Sequence, residues 1–112
     1  MAGRIARGDV RLYLFAPPDK KRPVVVLTRD SAIAYLSTVT VAPITSTLRG
    51  VPSEVLLNQD DGMKATCAVN LHNAVTVSQQ RLGRRVAHLS SARMNEICAA
   101  LRFSLGCDLG RP

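Results

Sequence analysis

The hydrophobic period of this chain changes once, near residue 90, and that change constrains the fold more than any other feature. Before it, short apolar segments of strand type alternate with turn residues. After it, one helical face is predicted behind a capping serine, Ser90 or Ser91, and Gly106 is a natural stop. That face comprises Met94, Ile97, Cys98, Leu101 and Leu105. Short strands followed by one terminal helix predict a mainly β fold, a small curled sheet or SH3-like β-barrel packed on a C-terminal helix.

The predicted strands are separated by turn and loop residues. In the first strand, Val10, Leu12 and Leu14 alternate with Arg11, Tyr13 and Phe15, which predicts one well-buried face. The expected strands are 10–15, 23–28, 38–44, 54–57, 67–71 and 74–77, with a further one within 82–88. Pro43 is expected to end the third strand at an edge or a bulge. Asp30 or Ser31 is expected to cap a short helical turn over 32–36.

The chain has 112 residues, of which 46% are hydrophobic, so a single domain over 1–112 is expected. Its core should span about 7–105, with short flexible termini. The longest apolar stretches are much shorter than the ~20 residues of a membrane helix, and no signal-type apolar region follows Arg4 and Arg7. No membrane association and a cytoplasmic location are therefore expected. The three cysteines lack C-x-x-C spacing, which argues against a disulfide framework and a zinc ribbon.

The chain is strongly basic. Fifteen lysines and arginines face eight acidic residues, giving a net charge of +7, and twelve of the fifteen cations are arginine. Such an excess attracts polyanions, and nucleic acid is the partner it favours; the alternative is a merely soluble basic surface. Aromatic residues make up only 4% of the chain, so contacts to phosphates rather than stacking on bases should dominate binding.

The common enzyme constellations are absent from the sequence. The acidic residues are scattered, so no metal site and no cofactor are expected. His72 and His88 have no spacing that pairs them, and each is interpreted as structural or solvent-facing. What remains is a group of cations and hydroxyls: Arg22 at the start of a buried strand, residues 45–47 (TST) at the end of another, and then Arg49. These could bind an anion, or they could be a surface ion pair and an ordinary turn.

Four motifs occur in a fixed order along the chain. They are RGDV at 7–10, RPVVV at 22–26, VAPITS at 41–46, and a helix that ends at 101–105. Together they resemble the MazF/PemK family, the endoribonuclease toxins of bacterial toxin–antitoxin pairs. The resemblance covers roughly residues 7–105. It implies a small SH3-like β-barrel with a C-terminal helix, a fold shared with gyrase-poisoning toxins.

The resemblance also implies a site and a reaction. The arginine of the family's R-P-V motif falls on Arg22 and the threonine of its P-I-T motif on Thr45, which are the catalytic candidates. The implied reaction is metal-independent cleavage of single-stranded RNA, leaving a 2′,3′-cyclic phosphate and a 5′-hydroxyl. A homodimer and an acidic cognate antitoxin are implied as partners. The expected RNA-binding residues are Phe15, Lys20, Lys21, Ser46, Thr47, Arg49 and Asn73.

The chain departs from the family pattern at 72–78. Many members carry a segment like EQIRTID there, whereas this chain reads HNAVTVS, with Asn73 in place of the glutamine and Val75 in place of the arginine. If this segment reads bases, the RNA sequence preference cannot be inherited from a relative. Two alternatives stay open, a non-catalytic gyrase-binding toxin of the same fold and a small basic RNA-binding module. Retention of Arg22 and Thr45 favours the nuclease over both.

Overall fold

The computed structural model describes residues 4–16 and 20–107, which form an antiparallel sheet and two helices. The strands are β1 (Asp9–Leu14), β2 (Lys21–Val26), β3 (Thr38–Thr45), β4 (Glu54–Leu57), β5 (Cys67–Asn70), β6 (Val75–Ser78) and β7 (Arg85–His88). The helices are α1 (Asp30–Ile33) and α2 (Ser91–Leu105), and three short 3₁₀ turns cover Gln59–Asp61, Leu71–Asn73 and Gln79–Arg81. The prediction of a mainly β fold with a C-terminal helix is confirmed.

Strand β3 organises the sheet because it pairs with three other strands. The strands follow the order β4-β5-β3-β2-β1-β7, and β6 pairs with β3 beside this path. The first half of β3, residues 38–41, pairs with β6, whereas its end, residues 44–45, pairs with β5. Strand β2 pairs with β3 through residues 41–43. The pairing of β3 with β6 therefore gives way to its pairing with β5 along the strand, and the sheet has the form of a half-barrel.

Pro43 lies inside the sheet, so the prediction that it ends a strand at an edge or a bulge is wrong. Strand β3 continues to Thr45, and Pro43 is paired with Val24 of β2. On the other side, Pro43 falls between Val41, the last residue paired with β6, and Ile44, the first paired with β5. A residue between these two pairings need not donate an N–H to β5 or to β6, so proline is tolerated there.

Apolar clusters cover both faces of the sheet, which explains the unbroken valine run of β2. Val25 belongs to a core formed with α2, whereas Val24 and Val26 belong to a second core with Ile33 of α1. A strand buried on both faces reads as a continuous apolar run because neighbouring side chains point in opposite directions. Tyr13 and Phe15 border the second core.

Strand β1 does not have the single well-buried face that its alternation predicts. Leu14 is 56% exposed, whereas Arg11 is only 2% exposed. The guanidinium of Arg11 donates to the carbonyl oxygens of Gly83 and Arg4 and lies 3.6 Å from the carboxylate of Asp9. Arg11 can be buried because these oxygens replace the water that its charge loses.

Helix α2 begins and ends as predicted, but its buried stripe is narrower. The hydroxyl of Ser90 accepts the N–H of Arg93, and Gly106 closes the helix in the left-handed region at φ 71°. The buried residues are Met94, Ile97 and Ala100, whereas Leu105 is 67% exposed. At 100° per residue, Leu105 lies about 20° around the helix from the buried Met94, but it stands in the last turn beyond the buried residues, so its predicted burial is wrong.

Other differences lie at element ends. Helix α1 covers Asp30–Ile33 rather than 32–36, and its N-cap residue is Arg29, without a side-chain cap. The carboxylate of Asp30 instead accepts the N–H of Arg7 at 2.7 Å. In the loop predicted at 16–21, Lys21 is the first residue of β2, and residues 17–19 lie outside the described part of the chain.

Candidate nucleic-acid cleft

Arg22 and Thr45 come together because β2 and β3 are neighbours in the sheet. In the register of this pair, Val24 lies opposite Pro43, and Arg22 and Thr45 stand two residues beyond that pair, near the ends of the strands. Both residues line the same cleft. In the other direction, Arg22 is paired with Tyr13 of β1. Two motifs that are 23 residues apart in sequence therefore meet at the ends of adjacent strands.

These strand ends open into a cleft of about 850 Å³, which we call the cationic cleft. Its floor includes Leu12, Pro23 and Ile44, and its polar rim carries Arg22 and Thr45. The other polar or charged lining residues are Lys20, Lys21, Ser46, Thr47, Lys64, Thr66, Cys67 and Arg84. Six of the nine predicted site residues therefore line one cavity.

The charged side chains among the described lining residues of the cleft are all positive. Five of its lining residues carry a positive side chain, and none of the described lining residues is an aspartate or a glutamate. Such a concave surface concentrates positive potential and attracts anions. Arginine can hold two oxygens of a phosphate at once, and threonine and serine hydroxyls can donate to the remaining ones.

The hydroxyl of Thr45 has a defined orientation. Its Oγ1 accepts the backbone N–H of Thr47 at 3.1 Å, which closes a tight turn after β3. A hydroxyl that accepts in this way still has its own hydrogen to donate. Thr45 is half-buried, so this donor stands at the cleft wall.

The other three predicted RNA-binding residues do not line the cationic cleft. Phe15 lies edge-on to the ring of Tyr13, with ring centroids 4.8 Å apart, beside the second core. The backbone N–H of Arg49 donates to the carboxylate of Glu54 in the loop before β4. Asn73 is exposed in the 3₁₀ turn before β6. A role for them in RNA binding stays a prediction.

The cleft also contains cations that the sequence did not indicate, chiefly Lys64 and Arg84. Lys64 follows the turn at 60–62, and Arg84 precedes β7. Arg84 reaches the cleft because its carbonyl accepts the N–H of Leu12 at 3.2 Å, while Gly83 donates to the carbonyl of Leu12 at 2.7 Å. These contacts join residues that are distant in sequence, so no local motif predicts them.

The two histidines make contacts of a structural kind, in agreement with their interpretation from the sequence. Nδ1 of His72 lies 2.6 Å from the hydroxyl of Ser53, and Nδ1 of His88 lies 2.8 Å from a carboxylate oxygen of Asp9. Asp9 is fully buried, and Arg85 stands 3.7 Å from it. Within 4–16 and 20–107, no group of three or more His, Cys, Asp or Glu residues could hold a metal ion.

One wall of the cleft is held by an ion pair with α2. Nε of Arg93 lies 3.0 Å from Oδ1 of Asp61. Desolvation alone would raise the pKa of Asp61, but the hydrogen bonds from Arg93 and from the N–H of Asn58, with the nearby positive charge, outweigh it and lower that pKa. The same hydrogen bond raises the pKa of Arg93. Desolvation, together with the charge of Asp61, raises the pKa of the Cys67 thiol, so this thiol stays protonated.

Fold and cleft together define the class: a small, basic half-barrel protein whose strand ends form a cationic cleft. The model of PemK-like, MazF-like toxins of type II toxin–antitoxin systems matches residues 6–105, and the chain belongs to that family. No helix within the described ranges is long and apolar enough to cross a membrane.

Relatives and solved structures agree with this assignment. The chain is 44% identical over 104 residues to Probable endoribonuclease MazF5 of Mycobacterium tuberculosis, covering 92% of this chain and 94% of the relative. Toxin MazF-mt6 of M. tuberculosis superposes with a TM-score of 0.81 at 31% identity, over 89% of this chain and 98% of that one. A mycobacterial endoribonuclease solved in complex with its cognate antitoxin gives a TM-score of 0.83 at 25% identity, over 97% of this chain and 100% of that one.

Proposed function

We propose that this protein is a sequence-selective endoribonuclease toxin that cleaves single-stranded RNA in the cationic cleft. The observation that carries the proposal is the meeting of Arg22 and Thr45 in a cavity lined by five cations and, among its described residues, no carboxylate. A carboxylate-free cationic cavity suits a polyanionic substrate. Membership of the toxin family and the endoribonuclease names of the relatives support the same activity.

The reaction that fits this site is an internal transesterification of RNA. The 2′-oxygen forms a bond to the adjacent phosphorus while its proton passes to solvent water, the bond from phosphorus to the 5′-oxygen breaks, and the 5′-oxygen takes up a proton from water. The products are a 2′,3′-cyclic phosphate and a 5′-hydroxyl. Negative charge builds up on the non-bridging oxygens of the phosphorane, so fixed cations and hydroxyl donors accelerate the step.

Arg22 and Thr45 have different roles in this mechanism. The guanidinium of Arg22 is a permanent cation, so it neither takes up nor gives up a proton. It stabilises the charge of the phosphorane and donates a hydrogen bond to the departing 5′-oxygen. The hydroxyl of Thr45 donates to a non-bridging oxygen from a position fixed by the N–H of Thr47.

The partners follow from the same surface. We propose a homodimer that acts in the cytoplasm, where its RNA substrate is found, and that is held inactive by an acidic antitoxin. The relative solved in complex with its cognate antitoxin supports such control. The antitoxin's carboxylates would be attracted to the same cations as RNA phosphates, so inhibitor and substrate would compete.

The test is cleavage of total RNA by the purified protein in excess EDTA, followed by mapping of the new 5′ ends. Cleavage at a defined sequence, with 5′-hydroxyl ends, is the expected result for the wild type. Arg22→Ala is expected to abolish cleavage while circular dichroism remains unchanged. Activity that is lost in EDTA and restored by a divalent ion would overturn the mechanism, and so would an Arg22→Ala variant that cuts at the wild-type rate.

The same experiment separates the alternatives. A gyrase-binding toxin or a simple RNA-binding module would leave the RNA intact with the wild type, whereas an endoribonuclease would not. The presence of Arg22 and Thr45 in one cationic cleft favours the endoribonuclease.

A further inference from the structure

We propose that Lys64, Thr66 and Arg84 form a second phosphate site in the cationic cleft, which binds an internucleotide phosphate next to the one that is cleaved. This inference rests on the proposed cleavage of RNA and names how the substrate is held beyond the cleaved bond. None of the motifs that carry the family resemblance includes these three residues.

The charge of the cleft exceeds what one phosphate requires. A phosphodiester carries a single negative charge, whereas five cations line the cleft and none of its described residues is a carboxylate. Arg22 and Thr45 stand on β2 and β3, Lys21 is the first residue of β2, and Lys20 directly precedes it. Lys64 and Arg84 come from two other segments of the chain, so they enlarge the cationic surface beyond the catalytic pair.

The segment that carries Lys64 and Thr66, which we call the 58–66 loop, is rigidly closed on itself. The side-chain oxygen of Asn58 accepts the N–H of Asp60 at 2.8 Å, and the N–H of Asn58 donates to Asp61 at 2.9 Å. The side-chain amide of Gln59 donates to the carbonyl oxygen of Lys64 at 3.3 Å. The backbone of Lys64 is therefore fixed, while its ammonium group remains in the cleft.

The 58–66 loop is also anchored to the rest of the protein. Asp61 is paired with Arg93 of α2 at 3.0 Å. Gly62 has φ 90°, and a Cβ placed on it would lie 3.1 Å from the Cβ of Ala87 in β7, which shows how closely the loop packs on that strand. Because the loop is fixed at both points, it loses little conformational entropy when a ligand binds.

The donor set suits a phosphate. Arg84 offers a fork that can hold two oxygens, Lys64 offers a compact charge, and Thr66 offers a hydroxyl. The backbone beside Arg84 is fixed by its hydrogen bonds with Leu12, a residue of the cleft floor. Both cations are thus presented to the cleft from fixed backbone positions.

The test uses an oligoribonucleotide of the sequence identified by end mapping, with 2′-deoxyribose at the cleavage position so that it binds without being cut. A second set carries one uncharged methylphosphonate at each neighbouring position in turn. Dissociation constants are measured at several salt concentrations for the wild type, Lys64→Gln and Arg84→Gln. Arg102→Gln is the control, because it removes an equally exposed charge from α2 outside the cleft.

Lys64→Gln and Arg84→Gln are each expected to weaken binding about tenfold, which is the usual effect of losing a hydrogen bond to a charged group. Each should also reduce the salt slope by about 0.7, the value for one contact to a single strand. For the wild type, one neighbouring methylphosphonate should weaken binding by a similar factor. In Lys64→Gln, the same methylphosphonate should have a smaller further effect than in the wild type, because only Arg84 and Thr66 still contact that phosphate.

Three results would overturn the proposal: no loss of affinity in either variant, an equal loss in Arg102→Gln, or a variant that weakens an acidic antitoxin peptide but not RNA. The last result would assign the residues to a protein partner. Failure of the wild type to cut any RNA in the end-mapping experiment would instead refute the proposed function itself, and this inference with it.

Discussion

At the scale of single residues, the hydroxyl of Thr45 is the group through which the proposed catalysis can be tested. It accepts the N–H of Thr47 and keeps its own hydrogen, which in the proposed mechanism is donated to the phosphorane. Thr45→Ala is expected to lower the rate of RNA cleavage by about 10² to 10³, the usual effect of removing one donor to a transition state. Single-turnover cleavage of the mapped oligoribonucleotide measures this rate.

Thr45→Ser is the matched variant, because it keeps the hydroxyl and loses only the methyl group. Its rate should stay close to the wild-type value. A rate for Thr45→Ala within a few-fold of the wild type would show that Thr45 serves only the turn after β3.

The sequence motifs identify Arg22 and Thr45 in the cleft, but they do not identify Lys64 and Arg84. Arg22 and Thr45 could be predicted because each stands in a short motif at the end of a strand, and the motifs occur in a family order. Lys64 and Arg84 could not, because only the packing of the 58–66 loop and of Gly83 on β1 brings them to the cavity. The cleft lining does not include Arg49, although it is close to Thr45 in sequence, since the loop containing it is bound to Glu54.

At the scale of elements, the ion pair of Asp61 with Arg93 joins the 58–66 loop to α2. The pKa of Asp61 is lowered in the folded protein, so the contribution to stability is present above the unfolded pKa of about 3.9 and is lost as pH falls through the folded value. Asp61→Asn is expected to lower the free energy of unfolding by about 1–2 kcal/mol at pH 7. The difference from the wild type should shrink below about pH 4.

Urea unfolding at pH 7, 5, 4 and 3 measures this difference. Asp60→Asn is the control, because Asp60 is the exposed neighbour of Asp61 and removes the same charge. A difference between wild type and Asp61→Asn that is as large at pH 3 as at pH 7 would show that the ion pair does not link the loop to the helix.

The presence of the helices and strands was easier to predict from the sequence than the residues that pack around them. Strand β4 and the turn that follows it agree with the sequence pattern, since turn residues end the apolar segment on local grounds. The predictions for Pro43 and Leu105 were wrong for a different reason. The first depends on which strands pair with β3, and the second on how far along α2 the core extends. Both are tertiary relations that a local pattern does not contain.

At the scale of the whole molecule, the excess of positive charge should make RNA and an acidic antitoxin compete. Lys20 and Lys21 are exposed and line the cationic cleft, so each can bind a phosphate or a carboxylate. Lys20→Glu combined with Lys21→Glu is expected to weaken both ligands and to flatten the salt dependence of RNA binding, at about 0.7 in slope per lost contact. Titrations of RNA and of an antitoxin peptide at several salt concentrations test this.

Arg29→Glu combined with Arg102→Glu provides the matched control, because it makes the same change in net charge at exposed positions outside the cleft. The control should alter both affinities much less. If the Lys20 and Lys21 variant binds both ligands with unchanged affinity and slope, the start of β2 takes no part in binding.

The pairing of β3 with β5 and β6, which come later in the chain, has a consequence for the synthesis of this protein. Arg22 and Thr45 lie in the first half of the chain, but β5 and β6 come later, and the main core is closed by α2 at residues 91–105. A chain that emerges from the ribosome from its N-terminus contains both catalytic candidates before it contains the later strands and the helix that complete the core. We therefore expect a chain that lacks residues 91–105 to lack RNA cleavage activity.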